Sequence, residues 1–271
     1  MRDVIFVVGM GRSGSSALTR VLSLCGAALP LAVLPPNFGN PTGYWEPALA
    51  LEINDRFLRA YESSWYDTSL RLQLGRVATG ESAALVAQAA AMLADSFESS
   101  GPIVVKEPRI SGLLPYWIEA ARKAGLRPAI VHLFRNPDDV AASLARRDDL
   151  AAEQSRALWL KYNLVAERDG RGFARAFISY EDLMTDWERV VGRCAEDLRV
   201  DLVISDDART AVAGFLSPEL RHHTTPDERQ VSDDESRLLL RTYRLLNAAK
   251  HKRPASSAFD SLLVEYGRTS G

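Results

Sequence analysis

A glycine-rich segment near the start of the chain has the composition of an anion-binding loop. Residues 4–8 are a short apolar run with strand character, and residues 9–16 follow with the sequence GMGRSGSS. Residues 17–22 then have helical spacing. Glycines let the backbone turn tightly and approach an anion, while free N–H groups at a helix start supply donors and positive dipole charge. The segment therefore predicts a loop that holds a phosphate-like group.

The cation of this loop is an arginine. Nucleotide hydrolases with the GxxxxGK[ST] loop need a lysine after the last glycine to reach the terminal phosphates. Here Gly14 is followed by Ser15 and Ser16. The positive charge is Arg12, which lies inside the loop. We therefore expect phosphate binding without the usual chemistry of ATP and magnesium.

Two other interpretations of the loop stay open. It also matches GxGxxG, the dinucleotide fingerprint, in which an acidic residue about 20 positions later holds a ribose. Between Gly14 and Glu46 the sequence contains no Asp or Glu, which counts against a nicotinamide cofactor. The second alternative is a tight connection between strand and helix that binds nothing, because glycine-rich turns also occur for steric reasons alone.

Other polar residues follow predicted strands. The predicted strands are the apolar runs at residues 4–8, 102–106, 128–134 and 175–180. Lys106 ends the second strand, Arg135 follows the third, and Tyr180 ends the fourth. Predicted helices at residues 15–25, 48–61, 81–98 and from 232 onward lie between and after them. This alternation predicts an α/β fold with three layers, in which a mostly parallel sheet binds its ligand beyond the C-terminal strand ends.

Composition limits the class of protein. The 271 residues suffice for one large α/β domain, residues 1–271, and nothing forces a second domain. A formal net charge of −2 argues against a general nucleic-acid binder. We expect a cytoplasmic protein without a membrane span, since neither a cleavable signal nor a long apolar stretch is evident. Cys25 and Cys194 are expected to be buried small hydrophobes, and no residues have metal-ligand spacing.

The segment after the third strand suits a phosphate dianion. Asn136 can cap a helix whose first residue is Pro137, and Ser143 lies almost two turns into that helix. The guanidinium of Arg135 and the hydroxyl of Ser143 would then reach over the sheet edge. In the alternative interpretation, Arg135 pairs with an aspartate of residues 138–139 and Ser143 only faces solvent.

Four segments together resemble the sulfotransferases that use 3′-phosphoadenosine 5′-phosphosulfate (PAPS). They are GRSGSS at 11–16, VVKEPR at 104–109, LFRNPDDVAAS at 133–143 and SYEDL at 179–183. The resemblance covers residues 4–183 and leaves the last third of the chain unmatched. It implies the P-loop-like fold of that family. It further implies PAPS as co-substrate, 3′-phosphoadenosine 5′-phosphate (PAP) as product, and transfer of a sulfuryl group to an acceptor hydroxyl on a carbohydrate or other natural product.

The resemblance also assigns roles to individual residues. The residues that it assigns to the nucleotide are Gly11, Arg12, Ser13, Gly14, Ser15, Ser16, Arg135, Ser143 and Tyr180. Arg12 and Lys106 are implied to stabilise the charge that develops as the sulfuryl group leaves. For Lys106, a strand-end lysine that merely reaches water is the alternative. Tyr180 and Trp45 could stack on adenine or acceptor, or be core aromatics.

Glu46 is the predicted general base for the acceptor hydroxyl. It lies in the loop at residues 34–47, which is rich in Pro, Gly and Asn, and its aromatic neighbours could raise its pKa. In the carbohydrate and tyrosyl sulfotransferases that the chain resembles, a glutamate downstream of the phosphosulfate loop is the base. Glu52 and Glu107 are the reserve candidates. A salt-bridged surface glutamate is the alternative for Glu46.

The histidines and the last helix offer weaker candidates. Histidine is the base in the cytosolic small-molecule branch of the family, but His132 lies in a predicted core strand. The other three are His222, His223 and His251, which follow no family motif. Residues 250–253, with the sequence KHKR, could close over the 3′-phosphate through Lys252 and Arg253, or form a solvated helix end.

Two rival functions stay open at this level. A kinase would need a compensating lysine and an acidic strand end that binds a metal, for which Glu107 is a poor substitute. A non-catalytic PAP-binding module would keep Arg135 and Ser143 but tolerate the loss of Glu46 and Lys106.

Overall fold

The centre of the molecule is a sheet of four parallel strands in the order β2-β1-β3-β4. A computed structural model describes residues 1–37, 43–75, 80–98, 101–216, 234–252 and 255–269. The strands are β1 (Asp3–Val8), β2 (Ile103–Lys106), β3 (Arg127–Phe134) and β4 (Ala174–Ser179). Because β1 lies between β2 and β3, the loop that follows β1 lies in the middle of the C-terminal edge.

Helices connect the strands and cover both faces of the sheet. The helices are α1 (Ser15–Leu24), α2 (Ala48–Ala60), α3 (Arg71–Leu74), α4 (Gly80–Asp95), α5 (Ile110–Lys123), α6 (Pro137–Asp148), α7 (Ala152–Asp169), α8 (Tyr180–Thr185), α9 (Trp187–Leu198), α10 (Asp206–Phe215), α11 (Asp234–Ala249) and α12 (Ser256–Thr269). This architecture confirms the predicted α/β fold with a central parallel sheet. Within the described residues, none of these helices combines the length and the apolar composition needed to cross a lipid bilayer.

The core follows from the alternation of side chains along β1. Val4, Phe6 and Val8 point to one face, where they pack in a cluster with α2, α4 and α5. Ile5 and Val7 point to the other face and pack with α1, α9 and α10. A third cluster joins α6, α7, α11 and α12 beside β3 and β4. Strands that are covered on both faces read as continuous apolar runs, which is why they were recognisable in the sequence.

The end of β4 corrects one predicted boundary. The apolar run at residues 175–180 predicts a strand that ends at Tyr180, whereas β4 ends at Ser179 and Tyr180 is the first residue of α8. The hydroxyl of Ser179 accepts a hydrogen bond from the backbone N–H of Asp182 at 3.2 Å, so Ser179 is an N-cap. Serine is a strong N-cap residue, and this cap takes the chain out of the sheet one residue early.

Other predicted features agree with the structure within a few residues. The helix predicted at 81–98 is α4, which ends at Asp95. Cys25 and Cys194 are buried free thiols, as expected. Parts of two predicted segments, residues 38–42 of the loop at 34–47 and residues 232–233 of the helix predicted from 232 onward, lie outside the described residues.

His132 is a satisfied core histidine, as the sequence predicts. Its Nε2 lies 2.9 Å from Oδ1 of Asn163, and its ring stacks on Phe177 with centroids 5.1 Å apart. Burial lowers the pKa of His132 to about 4. A neutral imidazole held in the core is no candidate for the general base.

Candidate functional site

A cleft of about 700 Å³ lies at the C-terminal edge of the sheet, around the loop that follows β1. Six basic and two acidic side chains line it among the described residues. They are Arg12, Lys106, Arg109, Arg135, Arg146, Arg147, Glu46 and Glu107. The basic excess favours an anionic ligand, although the net charge of the whole chain is slightly negative. In the part of the chain that the structure describes, no group of three or more His, Cys, Asp or Glu side chains could hold a metal ion.

The glycines of the loop are required by close approaches. Gly9 has φ 128°, and a Cβ there would lie 1.9 Å from the carbonyl oxygen of Leu133. Gly14 has φ 90°, and a Cβ there would lie 2.2 Å from the ring of Tyr180. The hydroxyl of Ser111 accepts from the N–H of Gly9 and donates to its carbonyl, both at 2.9 Å. The loop is therefore fixed by β3, α5 and α8.

We expect Gly14→Ala to destabilise the protein more than a glycine change of equal backbone strain. Gly172, at φ 85°, has nothing within 4 Å of its Cβ position and is the matched control. Gly172→Ala should cost about 1 kcal/mol from the left-handed backbone. Gly14→Ala should cost about 2 kcal/mol more, because the new methyl group overlaps the buried ring of Tyr180. Urea unfolding of both variants measures the difference. Equal losses of unfolding free energy would show that the Tyr180 ring moves aside for the new methyl group.

Helix α1 begins directly after the loop and presents its N-terminus to the cleft. Gly14 is its N-cap and supplies no side-chain hydrogen bond, and the first turn contains no acidic residue. The first N–H groups of a helix have no partners within the helix, so this end suits an anion. Ser15 and Ser16 line the cleft together with Gly11 and Gly14, whereas the side chain of Ser13 is fully buried and is not among the lining residues.

Arg12 joins the loop to α6. Its Nε donates to Oγ of Ser143 at 3.0 Å, although the two residues are 131 positions apart. Arg12 has a left-handed backbone with φ 69° and lines the cleft. Burial lowers the pKa of Arg12, and the nearby charge of Arg147 lowers it further. The structure thus places the two predicted phosphate-binding segments side by side.

Arg135 lies on the face of Tyr180. Its guanidinium carbon is 4.5 Å from the ring centroid, and its Nε is 3.4 Å from Oδ2 of Asp139. Asn136 accepts from the N–H of Asp138 at 2.9 Å and caps α6, which confirms the predicted cap. Arg135 therefore has the aspartate partner of the alternative interpretation and also lines the cleft. Tyr180 is only 5% exposed and is among the residues that line the cleft.

Lys106 and Glu46 form a buried ion pair in the cleft wall. Nζ of Lys106 lies 2.5 Å from Oε1 of Glu46 and donates to Oγ of Ser16 at 3.0 Å. Lys106 is 2% exposed and Glu46 is 6% exposed. Burial lowers the pKa of Lys106, and the carboxylate of Glu46 opposes that shift. Lys106 therefore does not reach bulk water, and its charge is held beside the loop.

The backbone before Glu46 is unusual. Trp45 has a left-handed φ of 56°, which is rare for a bulky residue and needs support from its surroundings. The guanidinium of Arg20 covers the Trp45 ring at 4.7 Å from its centroid. Trp45 is not among the residues that line the cleft, so the structure does not bring this predicted stacking candidate to the site.

A second buried carboxyl, Glu107, is held by a hydrogen-bond network beneath the cleft. Oε2 of Glu107 accepts from Nδ2 of Asn54 at 2.5 Å, and Oε1 accepts from Nη1 of Arg109 at 2.5 Å. Asn54 in turn accepts from the indole N–H of Trp117 at 2.8 Å. Arg109 also pairs with Asp55 at 3.1 Å. Burial raises the pKa of Glu107 to about 7, although the charge of Arg109 opposes this.

The raised pKa of Glu107 predicts a pH-dependent stability. The folded protein binds this proton more tightly than the unfolded chain, so the stability that Glu107 contributes is present below pH 4.5 and lost as the pH rises through about 7. We expect the unfolding free energy of the parent, relative to Glu107→Gln, to fall by about 3 kcal/mol over this range. Urea titrations at several pH values measure it. Glu119→Gln removes a half-exposed carboxyl from α5 as a control, and parallel pH profiles for all three proteins would refute the expectation.

The remaining sequence candidates that the structure describes lie away from the cleft. Glu52 is exposed and does not line it. Lys250 pairs with Asp182 at 2.9 Å and so fastens the end of α11 to α8. Lys252 is exposed and is not among the lining residues. The last sequence candidates, Arg253, His222 and His223, lie outside the described residues.

The sequence predicts that the loops at residues 34–75 and the helices after residue 145 form the acceptor pocket, but it did not identify the individual residues that line the cleft there. Arg146 and Arg147 follow Ser143 by three and four positions on α6, a helical spacing that places them on the same face as Ser143 and could have indicated their role. Trp65 and Tyr66 also line the cleft from the segment between α2 and α3. Nothing in the local sequence of that irregular segment indicated where it would pack.

Solved sulfotransferase structures are similar to this chain. The sulfotransferase domain of an olefin synthase from Synechococcus has a TM-score of 0.51 and 17% identity, and the match covers 90% of this chain and 96% of that one. A sulfotransferase from Mycobacterium tuberculosis has a TM-score of 0.46 and 15% identity, with 79% and 72% covered. A sulfotransferase from Alicyclobacillus acidocaldarius has a TM-score of 0.44 and 18% identity, with 81% and 93% covered. No protein-family model and no curated protein matches the sequence.

The match to the Synechococcus domain, with a TM-score of 0.51, indicates the class of fold. The likeness to the Synechococcus domain extends over nearly the whole of both chains. The chain therefore has the fold of a sulfotransferase, as its four motif segments imply.

Proposed function

We propose that this chain is a PAPS-dependent sulfotransferase that transfers a sulfuryl group to an acceptor hydroxyl on a carbohydrate or other natural product. The observation that carries the proposal is the meeting of the loop, the α6 segment and the Lys106–Glu46 pair in one basic cleft. These parts come from three strand ends that are distant in sequence. Packing alone does not require a glycine loop, an arginine and a buried lysine at one edge.

The residues of the cleft fit PAPS, which carries one phosphate and one phosphosulfate group. The N-terminus of α1 and the loop would hold the phosphosulfate, with Arg12 as the charged donor. Arg135 and Ser143 would hold the 3′-phosphate. Tyr180 lines the cleft at this site and packs on Arg135 and Gly14. The side chain of Ser13 takes no part, since Ser13 is fully buried and does not line the cleft.

Glu46 and Lys106 have complementary roles in the transfer. Bound PAPS supplies the sulfuryl group, whose bond to the bridging phosphate oxygen breaks as the bond to the acceptor oxygen forms. Glu46 takes the proton of the acceptor hydroxyl. Lys106, released from part of its pairing with Glu46, stabilises the negative charge that develops on the bridging oxygen. Arg12 holds the same group from the loop.

The rival functions have less support from these residues. A kinase with a metal-binding carboxylate would use Glu107, but both oxygens of Glu107 are bound to Asn54 and Arg109. A non-catalytic PAP-binding module would have no use for the buried Lys106–Glu46 pair. Such a module would be simpler without this ion pair, because burying two charges costs free energy unless their geometry is good.

Transfer of ³⁵S from labelled PAPS tests the proposed function. The protein is incubated with labelled PAPS and a panel of sugars, phenols and aliphatic alcohols, and labelled products are separated from PAPS. We expect label in an organic product with one PAP formed per product. Label transfer from γ-³²P-ATP with magnesium, and none from PAPS, would favour the kinase.

A further inference from the structure

The two sides of the cleft differ in their chemistry. Strands β2 and β3 lie on opposite sides of β1, so the loop after β1 divides the cleft. On the β3 side, Arg135 and Ser143 are joined by Arg146 and Arg147, and this half is basic. On the β2 side lies the Lys106–Glu46 pair. If the proposed function is right, the nucleotide occupies the β3 side and the acceptor must approach from the β2 side.

The β2 side of the cleft is lined by apolar and aromatic side chains. Trp65 lies beside the loop, where a Cβ at Gly11 would be 3.1 Å from its ring. Tyr66 packs edge-on against Trp65 with centroids 5.7 Å apart, and it is 42% exposed. The backbone N–H of Leu34 donates a hydrogen bond to the backbone carbonyl oxygen of Glu46 at 2.9 Å. Pro35, Leu51 and Pro108 also line the cleft.

The polar groups on this side are already bound to one another. Glu107 accepts from Asn54 and Arg109, and Arg109 also pairs with Asp55. The hydroxyl of Tyr44 donates to Oδ1 of Asn37 at 2.7 Å. A sugar brings several hydroxyls, and each one that is buried without a partner costs free energy.

We propose that the acceptor of this enzyme is an alcohol carried on an apolar, partly aromatic body rather than a polyhydroxylated sugar. This inference rests on the proposed function and narrows its acceptor. Trp65 and Tyr66 contact the apolar body, and Leu34 and Leu51 extend that contact toward Glu46. The acceptor hydroxyl then lies at Glu46, the carboxylate at the junction of the apolar side and the loop.

Binding of two small alcohols to the PAP-loaded protein tests this inference. The probes are 4-phenyl-1-butanol and methyl β-glucoside, titrated by calorimetry in saturating PAP. We expect the phenyl alcohol to bind at least roughly tenfold more tightly than the glucoside, because its ring moves out of water onto an apolar surface. Equal or tighter binding of the glucoside, or no binding of the phenyl alcohol, would overturn the inference.

A surface variant gives a second readout. Tyr66→Ser should weaken the phenyl alcohol by roughly tenfold, since it removes an exposed ring from the cleft wall, while PAP affinity stays the same. Val264→Ser removes a similarly exposed apolar side chain from α12, outside the cleft, and should change neither affinity. Unchanged binding in Tyr66→Ser would contradict the proposed surface. PAP that fails to bind at all would instead contradict the proposed function.

Discussion

Glu46→Gln is expected to reduce turnover by roughly 10²-fold or more while PAP affinity stays nearly the same. The amide keeps the shape of the side chain but cannot take the acceptor proton. Glu46 lies at the edge of the cleft beside Lys106, on the side away from Arg135 and Ser143, so the nucleotide contacts are retained. Steady-state kinetics and calorimetry with PAP measure the two effects separately.

The same variant should also be less stable. Without the carboxylate, the ammonium of Lys106 is 2% exposed and has no opposite charge at 2.5 Å. Removing one partner of a buried pair typically costs about 3–5 kcal/mol. Loss of activity could therefore be confused with loss of folded protein.

A double variant separates these effects. Glu46→Gln with Lys106→Met removes both buried charges and should recover most of the lost stability without recovering turnover. Urea unfolding and turnover are measured on the single and double variants. Near-normal turnover in Glu46→Gln would show that the base lies elsewhere, with Glu107 as the next candidate. A double variant as unstable as the single one would show that the ion pair is not the cause.

Arg135→Ala is expected to weaken PAP by about 2 kcal/mol, which is roughly 30-fold, and to change the affinity for adenosine 5′-phosphosulfate little. The second nucleotide lacks the 3′-phosphate that Arg135 would bind together with Ser143. Calorimetry with both nucleotides gives the two affinities.

Arg156→Ala is the matched control for this change. Arg156 of α7 pairs with Asp138 of α6 at 2.7 Å, but it is partly exposed and does not line the cleft. Its loss should leave both nucleotides bound as before. If Arg135→Ala weakens PAP and adenosine 5′-phosphosulfate equally, Arg135 acts by packing on Tyr180 and the 3′-phosphate binds elsewhere.

The sequence predicted the sheet and most of the strand ends because these depend on local patterns. Apolar runs marked all four strands, and the glycines marked the turn after β1. The boundary at Tyr180 was wrong because an apolar run does not reveal that Ser179 caps a helix.

The contacts within the site could not be predicted in the same way. Glu46 meets Lys106 across 60 positions and Arg12 meets Ser143 across 131, so both pairs depend on tertiary packing. Motifs placed these residues at one edge of the sheet without showing which of them touch. Trp65 and Tyr66, the aromatic residues that line the cleft, lie in an irregular segment whose sequence has neither helical nor strand periodicity.

Thermal unfolding with three nucleotides tests whether the chain binds PAP at two phosphate sites, and it needs no knowledge of the acceptor. A ligand that binds only the folded protein raises its stability, by about 2.7 kcal/mol at a hundred times its Kd. We expect PAP to raise the melting temperature far more than AMP at equal concentration, with or without magnesium, because only PAP fills both the loop and the site at Arg135 and Ser143. Equal shifts with PAP and AMP, or a shift that occurs only with ATP and magnesium, would show that the chain is not a PAPS-dependent sulfotransferase.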